Sequence, residues 1–275
     1  MKTILVPTDL SPMTAYALDV AVGLARMHRA EVVLLHTVLY QLMPQPAVDY
    51  TPEVSALSAE YYEETLKEAE ESLWKMAANP NYAGVMIRTK LGSSFDGLIR
   101  MINEQPADLI VLASKGASGL KEWLEGSNAE FIVRHARCPV LVVKKPVEHF
   151  QPQSIICGID VDDKLKERHP HPFQLTDQGL QQFVYVLTPN DPRQPDGIRE
   201  WMDEFALAKG MAHYQFTIWR DQSIPTGILN YADEVKADLI VLYTHGHKGL
   251  RHLIQGSVAE DVLNHAEVPV LIMRA

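Results

Sequence analysis

Cysteine is almost missing from this chain: Cys138 and Cys157 are the only two among 275 residues. Neither belongs to a CxxC pair or to a Cys/His spacing, which excludes a disulfide framework and a cysteine-built zinc site. Both read as small buried hydrophobes. Long apolar runs are missing too. The opening Met1-Lys2-Thr3-Ile4-Leu5-Val6-Pro7 reaches proline too soon to hold the h-region of a signal peptide, and no segment approaches a membrane span. The expectation is a soluble protein of a reducing, cytoplasmic compartment with no membrane partner. Positive charge is in deficit. Residues 1–147 carry 14 Lys and Arg against 17 Asp and Glu, and the remainder 11 against 18, so the halves stand at −3 and −7. A general nucleic-acid binder needs the opposite balance, so no nucleic-acid partner is expected. Also absent are GxxxxGK[ST], GxSxG and any triad, paired-carboxylate or metal-ligand constellation. Their absence argues against a P-loop ATPase and an α/β-hydrolase and leaves no catalytic residue to name.

What the sequence does have is a duplication. Residues 107–145 and 237–275 align without gaps, and 18 of the 39 positions are identical. The offset of 130 also carries Gly97 onto Gly227. A period of that length is a whole fold rather than a solenoid repeat. The expected domains are 1–147 and 148–275, joined at about Lys145–Ser154, where Pro146 and Pro152 mark a linker.

In the first half, Ile4–Val6 is a short aliphatic strand that ends at Pro7-Thr8-Asp9. From about Ser11 to His28, Ala15, Leu18, Ala21, Val22 and Ala25 recur at helical spacing. Val32–His36 is a second strand. Thr51-Pro52 opens a long helix whose apolar side is expected at Val54, Leu57, Tyr61, Leu73 and Met76. A strand at Val85–Thr89, a helix at Phe95–Asn103 and a strand at Leu109–Leu112 follow. A helix from about Asn128 to Ala136 then leads to the last strand, Val140–Val143. Apolar strands alternating with helices imply a parallel α/β sheet covered on both faces, with a ligand at the carboxyl ends of the strands. The second half is shorter. Asp9 and Gly97 are 88 positions apart, Asp160 and Gly227 only 67, and the loss falls where His169-Pro170-His171-Pro172 argues against an intact first helix.

Two loops stand out. Gly116-x9-Gly126-Ser127 recurs as Gly246-x9-Gly256-Ser257, each following an apolar strand and ending at a helix start. Glycine lets backbone N–H groups approach a phosphate with no Cβ in the way. A helix N-terminus adds orphan donors and a positive dipole end. The serines have a second reading: Ser127 with Glu130, and Ser257 with Glu260, form S-x-x-E capping boxes. Spacing alone leaves both open. Lys115 is a strong cation at the start of the first loop, whereas His245, His247, Lys248, Arg251 and His252 surround the second as donors for phosphate oxygens or as a solvated polar loop. Zinc is disfavoured there because no carboxylate or cysteine accompanies the histidines.

The Gly-x9-Gly-Ser loop, the ending Cys138-Pro139-Val140-Leu141-Val142-Val143 and the opening Ile4-Leu5-Val6-Pro7-Thr8-Asp9-Leu10-Ser11 resemble the universal stress protein family. The resemblance covers nearly all of the first half and the last third of the second. It implies two tandem domains, each a doubly wound five-stranded parallel sheet of order 3-2-1-4-5. Many members hold ATP through G-x2-G-x9-G-[ST]. By position, the resemblance places Asp9 and Thr37 against adenine and Leu112 near the base and ribose. It puts Gly116, Gly126 and Ser127 on the phosphates, with ATP, with or without Mg2+, as the cofactor. In the second half Asp160 matches Asp9, and Gly246, Gly256 and Ser257 match the loop. The sequence departs at the first motif glycine, which is Ala113 in one half and Tyr243 in the other. Tyr243 either fills the ribose space or stacks on a ligand.

The remaining marked residues have structural readings. His36 reads as a hydrogen-bonded histidine. His135 and His265 sit at helix C-termini, where a cation suits the dipole. Pro139 and Pro269 open the last strands. Asp9 has a rival role as cap of the first helix. Both halves end in an apolar strand at a sheet edge, which invites an internal pseudo-dimer and, between chains, a homodimer. The leading function is a stress-response or regulatory protein holding adenine nucleotide in the first half without rapid turnover. The alternatives are a scaffold acting through protein–protein contacts and, behind it, a slow ATPase or an adenylate-chemistry enzyme.

Overall fold

The computed structural model describes residues 1–38, 52–93, 98–114, 128–147, 149–167, 180–211, 213–244 and 258–274. The first half runs β1 (Thr3–Pro7), α1 (Thr14–His28), β2 (Glu31–Val38), α2 (Pro52–Ala77), β3 (Ile87–Ser93), α3 (Leu98–Glu104), β4 (Leu109–Ala113), α4 (Asn128–His135) and β5 (Val140–Val143). The second runs β6 (Ser154–Gly158), β7 (Leu180–Leu187), α5 (Pro195–Lys209), β8 (Gln215–Arg220), α6 (Ile224–Glu234), β9 (Leu239–Thr244), α7 (Val258–His265) and β10 (Val270–Arg274). Each half forms a parallel five-stranded sheet of order 3-2-1-4-5. β5 pairs antiparallel with β10, which makes one ten-stranded sheet of order β3-β2-β1-β4-β5-β10-β9-β6-β7-β8. The two strands that the sequence leaves as edges pair with each other, and β3 and β8 become the outer strands.

Both faces of this sheet are covered, as an all-parallel half requires. On one face Ile4, Val6, Val32, Leu34, Val111 and Leu141 meet α1 and α2, in a core that continues through Leu271, Val241, Cys157 and Phe183. On the other, Leu5, Leu35, Ile110 and Val142 continue into Ile272, Ile240, Val184 and Ile228 beneath the second half's helices. The alternation along each strand is the two-residue period of β structure applied to both sides at once. Helix α1 covers its face with small residues: Ala17, Val20, Ala21, Leu24 and Ala25 are all buried, while Ala15 faces solvent. The second half has no such helix among the described residues between β6 and β7, only a 3-10 turn at Asp163–Lys166. Aromatic rings pack on this face of the second half. Trp201 stacks on Phe205 at 5.4 Å between centroids, and Phe183 meets Phe205 edge-on at 5.8 Å.

Three local expectations shift. Strand β3 begins two residues later than its apolar pattern suggests, and α1 starts at Thr14 rather than Ser11. On α2, Tyr61 is 64% exposed. The inward stripe there is Tyr62, Leu66, Ala69, Leu73 and Met76, so Tyr61 sits one residue, about 100° around the helix, off the buried side.

The β5–β10 seam is dry and centred on Leu141 opposite Leu271, each at most 1% exposed. At its end the buried Lys144 donates from Nζ to the carbonyl of Ala266 at 2.9 Å, just past the C-terminus of α7. Lys145 pairs with Glu267 at 3.1 Å. Burial, helped by the charge of Lys145, pushes the Lys144 amine down to about 8.

Two outcomes follow from the seam. Leu141→Ala should lower stability by about 2–5 kcal/mol and move both halves together in a denaturant titration. Two separate transitions, with only one displaced, would contradict a shared core. Lys144 has a folded value below its ordinary 10.5, so the folded state holds this proton more weakly than the unfolded chain. The lysine therefore opposes folding below pH 8, and the opposition fades between about pH 8 and 10.5. Relative to Lys144→Met, the parent chain should gain on the order of 1–3 kcal/mol over that interval. Urea melts at pH 7 and pH 10 check the sign.

Candidate functional site

In a sheet of order 3-2-1-4-5 the chain winds one way from β1 through β2 and the other way through β4. A crevice therefore opens past the carboxyl ends of β1 and β4. Three of the residues singled out above come to this end. The parallel register sets Pro7 beside Leu35, and Ile4 and Leu5 beside Leu109 and Ile110. Continuing it brings Pro7 level with Leu112. Asp9 then leaves β1 just where His36 and Thr37 finish β2.

The turn after β1 is held by short side chains. Thr8 N–H donates to Leu35 O at 2.8 Å, and the Nδ1–H of His36 donates to Thr8 O at 2.7 Å. The hydroxyls of Thr8 and Thr14 lie 2.6 Å apart, and Leu10 N–H donates to Thr8 Oγ1. Leu10 takes a positive φ of 65° to complete the turn. The Asp9 carboxylate accepts the N–H of Ser11 at 2.9 Å and is otherwise exposed. Burial pushes its pKa up, but hydrogen bonding from Ser11, side chain and backbone, and the nearby His36 outweigh it, leaving Asp9 below the usual carboxylate value. Asp9 does not cap α1. The residue before that helix is Met13, which makes no side-chain cap bond.

Alternation along β2 puts Thr37 on the same face as Val33 and Leu35, and Leu112 is buried on that face at the end of β4. Gly92, paired with Thr37 in the sheet, has the end of the Met101 side chain where its Cβ would be. Only glycine admits that contact, so Met101 of α3 reaches the Thr37 end of the crevice. The described backbone ends at Ser114, the first residue after β4. Its N–H donates to Val143 O at 2.9 Å, whereas its hydroxyl is buried with no hydrogen-bond partner among the described residues. A buried hydroxyl without a partner carries a desolvation cost, so this oxygen is a polar group at the mouth of the glycine-spaced loop that lacks its complement. Sequence reading passed over Ser114 because a single serine after a strand carries no pattern.

Gly116, Gly126 and Ser127 lie outside the described residues, as do Lys115, Gly246, Gly256, Ser257 and the surrounding histidines. The helices after the loops begin at Asn128 and Val258, directly after the two serines.

The second half repeats the frame with different chemistry. Ile159 N–H donates to Val184 O at 3.1 Å, the counterpart of the Thr8–Leu35 bond, so Asp160 stands where Asp9 does and Tyr185 where His36 does. Asp160 Oδ1, however, accepts from Arg193 at 2.8 Å. Tyr243 lies on the α5 side of the sheet against the core that holds Cys157, and burial pushes its phenol well up. That position is used for packing. Arg193, unmarked by any motif, is the second residue that sequence reading missed.

A model of the universal stress protein family matches residues 1–144 and 189–274. A universal stress protein of Methanocaldococcus jannaschii is 35% identical over 151 residues, 53% of this chain and 83% of that protein. One from Mycolicibacterium smegmatis is 21% identical over 287 aligned residues, 98% of this chain and 96% of its own. The crystal structure of a universal stress protein from Archaeoglobus fulgidus covers 99% of this chain and 98% of that one, with a TM-score of 0.68 and 21% identity, a likeness of fold. The stretch that the family model passes over contains β6, β7 and the 3-10 turn that stands between them. Both flanks of that gap match in order, and the chain belongs to the universal stress protein family as a two-domain, tandem member.

Proposed function

We propose that the first half holds an adenine nucleotide, ATP with its Mg2+, as a regulatory ligand in a stress response. The observation that carries this reading is the convergence of Asp9, Thr37 and Leu112 at the crevice from which the Gly116–Ser127 loop departs. The residues suit the group. Asp9 offers an ionised carboxylate able to accept from an exocyclic amine, and no described cation pairs with it. Thr37 and Leu112 supply a mixed wall at the strand ends, and the unpartnered Ser114 hydroxyl supplies a donor beside the loop. Backbone N–H groups of the loop, opened by Gly116 and Gly126, would take the phosphates. Bound nucleotide brings the charge and bulk that change what the surface offers to partners. The protein's own part is to bind and orient it.

If the chain is a scaffold instead, none of this binding occurs. Purified protein denatured and analysed for released adenine nucleotide, then emptied and titrated with ATP, separates the two. The expected result is bound nucleotide and saturable uptake, abolished by Gly116→Asp or Gly126→Asp. No nucleotide, and no uptake at millimolar ATP, would refute the proposal. Ser114→Ala gives a signature of opposite signs. It should stabilise the ligand-free chain by about 1 kcal/mol, since a buried unsatisfied oxygen disappears, and weaken ATP binding several-fold. Thermal melts with and without ATP measure both.

A further inference from the structure

The two carboxylates that follow β1 and β6 occupy matching places, yet their surroundings differ in one respect. The Arg193 guanidinium donates to Asp160 Oδ1 at 2.8 Å and to Asp191 Oδ1 at 3.0 Å, and lies over the Tyr185 ring at 5.2 Å. The Tyr185 hydroxyl in turn bonds the other oxygen of Asp191. Asp191, with a side chain only 7% exposed, also accepts the Arg193 N–H at 3.0 Å. The arginine is thus held on one side by the buried side chains of Asp191 and Tyr185 and reaches Asp160, more exposed and also accepting the Val161 N–H at 2.7 Å, on the other.

The local sequence explains why it lands there. Strand β7 ends at Leu187 and α5 begins at Pro195, so residues 188–194, with Pro189 and Pro192, must cross the strand ends in a short stiff path. The Asp191 N–H closes a turn onto Thr188 O at 3.1 Å, which aims the next residues back at Asp160. In the first half the interval between β2 and α2 is longer, running from 39 to 51. The residue at the Tyr185 position there, His36, uses its ring to hold Thr8 O.

We propose that Arg193 closes the second half's crevice from within by taking the Asp160 carboxylate that an adenine amine would need, so that the chain binds one ATP. The inference rests on the reading of the first half as the nucleotide site. It makes Arg193 a specificity-determining residue between two copies of one fold.

Equilibrium dialysis of the full chain with ATP and Mg2+ should give one site, lost in Gly116→Asp. Asp160→Asn is the discriminating variant. Its effect on the ATP Kd should stay within about twofold, as for a site that is not used. Two sites per chain, or a tenfold weaker Kd on Asp160→Asn, overturns the closure. A second measurement is independent of nucleotide. Asp191→Asn and Arg193→Ala should each lower Tm, and the double variant should fall short of their sum because they share one network. Additive shifts overturn the proposal. A chain that takes up no ATP but keeps this coupling counts against the first-half reading and for the closure.

Discussion

Backbone pairing between β5 and β10 is the constraint on which the rest of the molecule depends. An apolar strand with an unpaired edge is a liability in water, and here each half resolves the other's. Because the pair is antiparallel inside an otherwise parallel arrangement, the halves relate as by a two-fold axis through Leu141 and Leu271. Two consequences are geometric. Matching helices fall on the same face, so both cores run unbroken from one half to the other. The carboxyl ends of β1 and β4 point opposite to those of β6 and β9, so the two crevices open at opposite ends of the sheet.

That separation lets the crevices differ without disturbing each other. The first half keeps a small-residue helix α1 close on the sheet and leaves Asp9 exposed past β1. The second half has aromatic packing on the corresponding face, with Trp201, Phe205, Phe183 and Tyr243 in or against the core. Large rings cover much area with few residues, and Tyr243 packs against the same core. The polar end of β7 follows suit: Tyr185, Asp191 and Arg193 satisfy one another and Asp160. A buried polar network of this kind is stable only when complete, which is why its members come together.

The fold was legible in the sequence to a large degree. The constant offset of the repeat and the alternation of apolar strands with helices gave both halves, and Pro52 marked the start of α2 correctly. Tyr61 misled because adjacent tyrosines at 61 and 62 offer the same composition, and only the helix's seating on β2 and β3 selects Tyr62. At the site, Asp9, Thr37 and Leu112 were found by position in a motif. Ser114 and Arg193 were not, because what marks them is the absence of a described partner in one case and a pairing with Asp160 33 residues away in the other.

Taken by itself, the sequence determined the duplication, the parallel α/β plan, the shortening of the second half and the residues carried at each strand end. Those properties are written in local periodicity, spacing and proline placement, which need no knowledge of distant contacts. Only the tertiary structure decided that the terminal strands join within one chain and that Tyr243 packs against the core. It also decided that Asp160 is taken by Arg193 while no described cation pairs with Asp9. Each of these depends on which groups meet across tens of residues, and pairing of that range is set by register and packing rather than by pattern.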